Sequence, residues 1–475
     1  MEESEMNPKL TIKNLILYTQ GSQFKKDIEK RIDYYYDRQL PYLLELISNQ
    51  FVHADPLSLQ PQFLNIVKPI INEISMIYRA GARRTLVSDL GTEVSPKLLA
   101  LWEFIMQNAK YESVMKTVNR MVNLCRTVLV KPSFRNGQLK LDIMTPNTFD
   151  VIVSDDDPTH AEAIFYARET NSDGLPKKIL HLWDEKNYYR ISSDGELIPI
   201  PNNPKNINPY GVLPFVRFTD DIPIDDFFVR GGDDLIVAQD NINIKLTQLN
   251  YIVKMQSFSV PVLVGYRGPE RITISPGKPV VIPLGGIGEQ GSPDFRFESP
   301  NPQIKELITL LEHEIVRIFR VYGISSADFS LQGSVKSGFA LVMENMKLLE
   351  ARENQLPFYE SAEKELFEVI KRVWNYHAKF LPPSHPFAGV TFPDYIHLSV
   401  SINTISLPRP VNDEIAEWRF MLENELATPI DYLMRKHKLT QKQARQRWQE
   451  IVEWWENNPN KSSKIHGSGL EKDSA

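Results

Sequence analysis

One cysteine, Cys125, in 475 residues excludes an intrachain disulfide framework and fits a reducing cytoplasm. No apolar run reaches the length that a bilayer-spanning helix needs; Val260–Val264 and Val280–Leu284 fall far short. The first residues, Met1-Glu2-Glu3-Ser4-Glu5-Met6, are acidic with no apolar stretch among them, which predicts no secretory signal. Positive charge is scarce as well: 54 Lys and Arg stand against 60 Asp and Glu, a formal charge of -6. That balance excludes a protein that simply coats nucleic acid through a basic footprint. What the chain does have is apolar mass, 42% hydrophobic and 10% aromatic residues. These values predict a folded chain of two to four domains with a sizeable core.

The motifs of enzyme chemistry fail one by one. Gly286-Ile287-Gly288-Glu289-Gln290-Gly291 fits the GxGxxG pattern and follows a β-run. A dinucleotide site needs a helix directly behind it, so that the helix N-terminus meets the pyrophosphate, and Ser292-Pro293-Asp294-Phe295 is a turn into another β-run. Gly333 and Gly338 have P-loop spacing, but Phe339-Ala340 stands where Lys-Ser/Thr would contact phosphate and magnesium. The nine histidines show no metal-ligand spacing, and His313 and His377 read as packing or inter-subunit residues. Asp155-Asp156-Asp157 reads as a solvated turn, and Asp233-Asp234 as helix-start residues that complement the dipole. No catalytic, cofactor-binding or metal-binding residue is assigned.

Periodicity organises the rest as an α+β chain. Helical spacing dominates from Phe24 to Val130, with Pro61–Ala80 and Ser95–Val130 the clearest stretches, the second carrying a stripe of Leu99, Trp102, Ile105, Met106 and Ala109. Asn136-Gly137 predicts a tight hairpin between Val128–Phe134 and Leu139–Ile143. Short strands follow at 149–154, 161–168, 178–183, 187–192 and 196–199, then a proline-rich connector, Pro199–Pro214. Asp233–Ser257 predicts one long helix with an apolar seam of Leu235, Ile242, Leu246, Leu249 and Val253. After a β-rich, Gly- and Pro-punctuated module, Pro302–Tyr322 predicts a second helix, with Leu307, Leu311, Ile315 and Ile318 along one stripe. A third helix runs from Ser337 to about Phe380 and contains Pro357, which predicts a kink. Ile396–Ile405 alternates as a strand. Three capped helices close the pattern: Val411–Leu426, one starting at Thr428-Pro429, and one opened by a Thr440/Gln443 capping box.

The order of these pieces resembles the portal proteins of tailed bacteriophages, over roughly residues 25–456. Asn208-Pro209-Tyr210-Gly211-Val212-Leu213-Pro214-Phe215-Val216 carries the likeness, followed by Asp233–Gln256 and Arg320-Val321-Tyr322-Gly323-Ile324. Ser337-Gly338-Phe339-Ala340-Leu341, Asn412-Asp413-Glu414-Ile415 and Ala427-Thr428-Pro429-Ile430-Asp431 complete it. The resemblance implies a portal fold with long stem helices, antiparallel β wing and clip, a long kinked helix and a C-terminal helical crown. It assigns an N-terminal arm to 1–24, a wing to 25–230 with 341–407, and stem helices to 231–256 and 301–322. The clip falls at 257–300, a tunnel loop at 323–340, the crown at 408–456 and a disordered tail at 457–475.

The same resemblance implies a twelve-copy ring at a capsid vertex of the virion, assembled in the host cytoplasm. Double-stranded DNA would pass through its channel, weakly and non-specifically held, while a large terminase packages it. The major capsid protein and a head-completion or tail adaptor would be its other partners, with no membrane and no cofactor. Ser326, Asp328, Phe329, Ser330, Leu331, Gln332, Ser334 and Lys336 would face the DNA. The charge then makes sense, since a ring carrying about -70 formally lets DNA slide instead of gripping it. Two rivals stand beside this reading: a metal-dependent nuclease or nucleotidyl transferase using Asp155–Asp157 and His160, and a capsid adaptor or scaffold without a channel.

Overall fold

The computed structural model describes residues 22–50, 56–172, 175–201, 203–256, 260–264, 294–298, 304–324, 338–405, 411–437 and 439–457. The chain divides into two compact units, Met1–Ser334 with Met343–Ile405, and Val335–Val342 with Ser406–Ala475.

The first unit opens with helices α1 (Gln23–Tyr35), α2 (Leu40–Gln50) and α3 (Val67–Ile74), then strand β1 (Ala82–Ser88). Helices α4 (Pro96–Asn108) and α5 (Tyr111–Cys125) occupy the stretch whose periodicity predicts helix from Ser95 to Val130. Two left-handed residues break that run. Lys110 at φ 50° separates the helices, and Arg126 at φ 67° ends α5. The β-branched residues behind it then enter β2 (Thr127–Arg135), which turns into β3 (Gln138–Met144). Leu99, expected in the buried stripe, is 46% exposed; Leu98 and Leu101 fill the core positions instead.

Asn136 (φ 53°) and Gly137 (φ 76°) form the β2–β3 turn, with Arg135 opposite Gln138. Positive φ at both central residues gives the twist that matches the flanking strands, so the Asn-Gly expectation holds. Strands β4 (Phe149–Val153), β5 (Ala161–Ser172), β6 (Leu175–Asp184) and β7 (Tyr188–Ser192) form an antiparallel meander in sequence order. Glu196–Pro199 makes no fifth strand; one bridge joins Leu197 to Ile191. β5 runs on to Ser172, past the expected strand end at 168. β8 (Val216–Thr219) adds to β2, giving the order β3-β2-β8.

Helix α6 (Asp234–Gln256) leads to the antiparallel pair β9 (Val260–Val264) and β10 (Asp294–Glu298), and α7 (Ile304–Val321) returns. Helix α8 (Gly338–His377) is continuous through Pro357, and β11 (Ile396–Ile402) pairs antiparallel with β1. The core gathers around α8, whose Tyr359, Leu366, Phe367, Ile370, Val373 and Trp374 have no exposed surface. The second unit holds α9 (Val411–Glu423), α10 (Pro429–His437) and α11 (Gln441–Glu456), and the Thr440/Gln443 capping box is present. Among the described residues the elements are a mixture of helices and antiparallel sheets, the α+β class expected. The Gly286–Gly291 pattern lies outside the described residues, as do most of the N-terminal arm and all but the first residue of the C-terminal tail.

Two buried cations fasten this unit. Lys131 on β2 lies among the rings of Tyr166, Trp183 and Phe215 and bonds the Tyr166 hydroxyl at 2.7 Å, linking the two larger sheets. Burial pushes its ammonium down to about 7. Arg84 on β1 meets Glu363 on α8 with two contacts, 2.5 and 2.8 Å, and also donates to Glu112 at 2.9 Å. Glu363 has no exposed surface, so its charge depends on that guanidinium. Arg84→Met leaves Glu363 stranded, and we expect a loss of about 3–5 kcal/mol in denaturant melts. A loss under about 1 kcal/mol would show that the pair does not hold the fold.

Candidate functional site

Helix α6 combines two stripes. Its apolar side buries Leu235, Ile236, Ile242 and Ile244. Gln239, Asn243 and Thr247, four residues apart and so on one face, are buried as well. They meet residues 62–66, a segment with no helix or strand of its own. Gln239 accepts from the Ile66 amide and donates to the Leu64 carbonyl, both at 2.7 Å. The Leu64 amide donates to Asn243, and the Gln62 amide to Thr247 at 3.0 Å. Asn243 in turn donates to Gln39 at 2.8 Å. Backbone groups that no ladder satisfies are satisfied by the helix's side chains. Asp240 completes the clasp, accepting from the Tyr34 hydroxyl and from Lys30.

The N-terminus of α6 is a charged junction. Gly231 (φ 106°) and Gly232 (φ 92°) lead into it, and a Cβ on Gly232 would stand 3.2 Å from the Arg31 guanidinium. Arg31 pairs with Asp233 at 2.5 Å, and the Tyr322 hydroxyl donates to Asp234 at 3.0 Å. The two aspartates therefore complement the helix dipole and also tie α6 to α1 and to the residue after α7. Behind them lies a cavity of about 430 Å³, lined in part by Arg31, Arg126, Asp220, Asp234 and Lys347. Arg126 pairs with Asp220; Arg31 Nε, Arg126 Nε and Asp220 Oδ1 are buried without a hydrogen-bond partner among the described residues.

Helix α7 joins α6 through Lys245–Glu314 and through buried Leu311 and Phe319, with Ile315, Ile318 and Leu246 half-buried beside them. Leu249 is half-buried, while Val253 is 44% exposed and Leu307 38% exposed. Seam residues are therefore covered where α6 meets the core and open toward the β9–β10 end. A Schellman turn ends α7: Gly323 takes φ 72°, the Ile324 amide reaches the Phe319 carbonyl at 2.9 Å, and Ile324 is buried. The expected DNA-facing residues Ser326, Asp328, Phe329, Ser330, Leu331, Gln332, Ser334 and Lys336 lie outside the described residues.

The other singled-out groups do not assemble into a reactive centre. Asp157 accepts from the amide and hydroxyl of Thr159, both at 2.8 Å, in an exposed turn. His377 stacks on Phe134 and bonds the Tyr210 hydroxyl at 3.0 Å. Burial pushes its imidazole down to about 4, so it is neutral at physiological pH. Burial likewise pushes the Cys125 thiol up to about 12, an unreactive value. Among the described residues no group of three or more His, Cys, Asp or Glu side chains is placed to hold a metal ion. What sequence reasoning missed is the polar stripe and the Arg31–Arg126–Asp220 junction. The stripe carries a signal, Gln239, Asn243 and Thr247 at intervals of four, but polar residues on a helix read as solvent-facing.

A family model described as phage portal protein, SPP1 Gp6-like, matches residues 17–382. A comparison with curated proteins finds no match. Among solved structures, a chain in the virion of a native gene transfer agent particle shows 12% identity over 82% of this chain and 92% of its own, with a TM-score of 0.39. A chain in the neck of the empty particle, computed with C6 symmetry, shows 10% identity over 78% and 89%, with a TM-score of 0.43. One in the neck of the native particle, computed with C12 symmetry, shows 12% identity over 78% and 88%, with a TM-score of 0.38.

The junction carries a pH signature. Burial raises the Asp220 carboxyl to about 6 against the pull of Arg126. Between about pH 4 and pH 6 the folded chain holds a proton that the unfolded chain has released. The stability from this group is therefore full below pH 4 and lost as pH rises through 6. Asp220→Asn should flatten that decline in urea melts, matching the parent near pH 4 and exceeding it by about 1–3 kcal/mol at neutral pH. A variant weaker than the parent at neutral pH would mean that the ion pair outweighs its desolvation.

Proposed function

Because the chain belongs to the SPP1 Gp6-like family of phage portal proteins, a structural and non-enzymatic component of the phage head, we propose that twelve copies form a ring at one capsid vertex. Through its channel a terminase motor packages double-stranded DNA, which the ring then retains and releases on ejection, and to its outer end the tail adaptor attaches. The capsid protein holds the ring in the virion. A nuclease or nucleotidyl transferase reading falls with the family.

The family match carries this reading, and the α6–α7 pair supports it. The pair is anchored at one end by the buried stripe on residues 62–66 and by the Arg31 and Tyr322 contacts. Leu307, Ile308 and Leu310 on α7 are exposed in the single chain, as are Tyr251 and Val253 on α6. Apolar side chains clustered this way fit cover by the same helices of the next copy, in a closed head-to-tail interface. In the proposed assignment α6 and α7 are the stem, β9 and β10 belong to the clip, and residues 25–230 with 341–407 form the wing. Helices α9, α10 and α11 are the crown. The tunnel loop, 323–340, follows directly from the Schellman turn at Gly323, which fixes the direction in which the chain leaves α7. In this assignment Pro357, which removes a backbone donor from the interior of α8, is the position at which that helix would bend.

Electron micrographs of the purified protein should show closed rings with twelvefold symmetry and a central hole. Particles with no hole would replace the channel reading with that of a capsid adaptor or scaffold. Deleting Ser326–Gln332 should impair DNA packaging or retention while rings still assemble. Loss of assembly in that deletion would make the segment structural instead of DNA-facing.

A further inference from the structure

The β4–β7 meander is apolar on both faces. On the core side Ile164, Tyr166 and Trp183 pack with Phe215 and Phe227. On the opposite face the register sets Phe165 beside Leu182 and Tyr189, and Leu180 beside Ile191, with Ile152 toward the end of β4. A sheet with one face in water alternates apolar residues with polar ones, and this sheet does not. Phe165, Leu180 and Ile191 are nevertheless buried. The described apolar side chains packed against them, Ile152, Leu182 and Tyr189, all belong to the same sheet. Cover for this face therefore has to come from another part of the chain or from a partner.

The chain enters α1 at this face. Lys25 pairs with Asp150 on β4 at 2.5 Å, and Asp150 stands opposite Phe165 in the register. The two side chains are only 16% and 19% exposed. Burial raises the Asp150 carboxyl against the pull of Lys25. Lys25 also lines a cavity of about 430 Å³ together with Phe165, Leu180 and Ser192. Twenty-one residues precede Ser22, the N-cap of α1, and six of the nine from Leu10 to Tyr18 are apolar. Left in water, such a stretch is an aggregation hazard. The five residues from Ser22 back to Leu17 can reach about 17 Å when extended. Three strand spacings measure about 14 Å, so this length of chain can cross the whole meander.

We propose that residues 10–18 of the N-terminal arm lie on the outer face of the meander of their own chain, over Phe165, Leu180 and Ile191. Leu15, Ile16 and Leu17 supply the apolar surface that this face needs. The Lys25–Asp150 pair holds the start of α1 on the same face, so the arm meets it at high effective concentration. That tether favours the arm of the same chain over one from a second copy.

Hydrogen exchange of the full-length protein tests the proposal. After deletion of Glu2–Gln20, peptides from β5 and β6 should exchange at least about tenfold faster. Leu15→Asp/Leu17→Asp in the complete chain should do the same, with helix content unchanged by circular dichroism. That double variant decides the matter if the deletion fails to fold. A second measurement locates the arm: Leu17→Cys with Leu182→Cys, treated with a short bis-maleimide. Cys125 is buried, so labelling is confined to the new pair. A link within one chain is expected. A dimer-sized product gives the face to the arm of a second copy and overturns the proposal. Unchanged exchange in the Asp double variant, or no link of either kind, overturns it as well.

Discussion

An unstructured stretch of backbone, residues 62–66, sets the terms for the rest of the first unit. Gln62, Phe63 and Leu64 are exposed and Ile66 is buried, and the stretch has no ladder of its own, so its amides take partners elsewhere. Gln239, Asn243 and Thr247 supply them from one face of α6. Directional bonds of this kind specify register where apolar contact alone would tolerate a slip, since each side chain matches one backbone group. A shift of α6 by one residue would break all of them together. The position of α6 thereby determines where α7 lies, and with it the point at which the chain turns away at Gly323.

Charge serves the same end at the helix start. Arg31 is buried and holds Asp233, Arg126 pairs with Asp220, and Tyr322 reaches Asp234. These contacts tie the elements on either side of α6 and α7 into one node. The node is not uniformly favourable. Burial drives the Asp220 carboxyl toward its neutral form even with a guanidinium beside it, so desolvation outweighs the Coulomb attraction. A pair of that kind contributes little net stability and much geometry. Lys131 repeats the pattern between the sheets, with its ammonium pushed down by burial among three rings.

Much of this architecture is legible in the chain because its signals are local. Asn136-Gly137 allows a turn with both central residues at positive φ, Thr440 and Gln443 cap one another, and α6 and α7 begin and end close to their expected limits. The failures are non-local. β1 reads Ala-Arg-Arg-Thr-Leu-Val-Ser, too short and too charged to announce a strand, and it becomes one because β11, some three hundred residues later, pairs with it and Glu363 receives Arg84. β8 exists for the same reason, as an addition to β2. At the candidate site the apolar seam was visible through its repeat, whereas the polar stripe was not. Only the partner segment distinguishes a buried amide from a solvated one.

The contrast between the two ends of the α6–α7 pair follows from these constraints. Where the pair meets the unit's core, Gln239, Asn243 and Thr247 are bonded and Leu235, Ile242, Leu311 and Phe319 are covered, while Val237 and Val321 stay exposed. Toward β9 and β10 the seam continues in sequence, but its side chains are open: Val253, Leu307 and Leu310 keep more than a third of their surface exposed. A monomeric protein would gain by replacing them with charged residues, which preserve helix propensity and remove an aggregation hazard. In the proposed ring another copy of the chain would cover them. A ring subunit needs this division, because its fold has to be complete before assembly while its helices stay unfinished along one side. The buried stripe meets the first requirement without using the apolar residues that the second one needs.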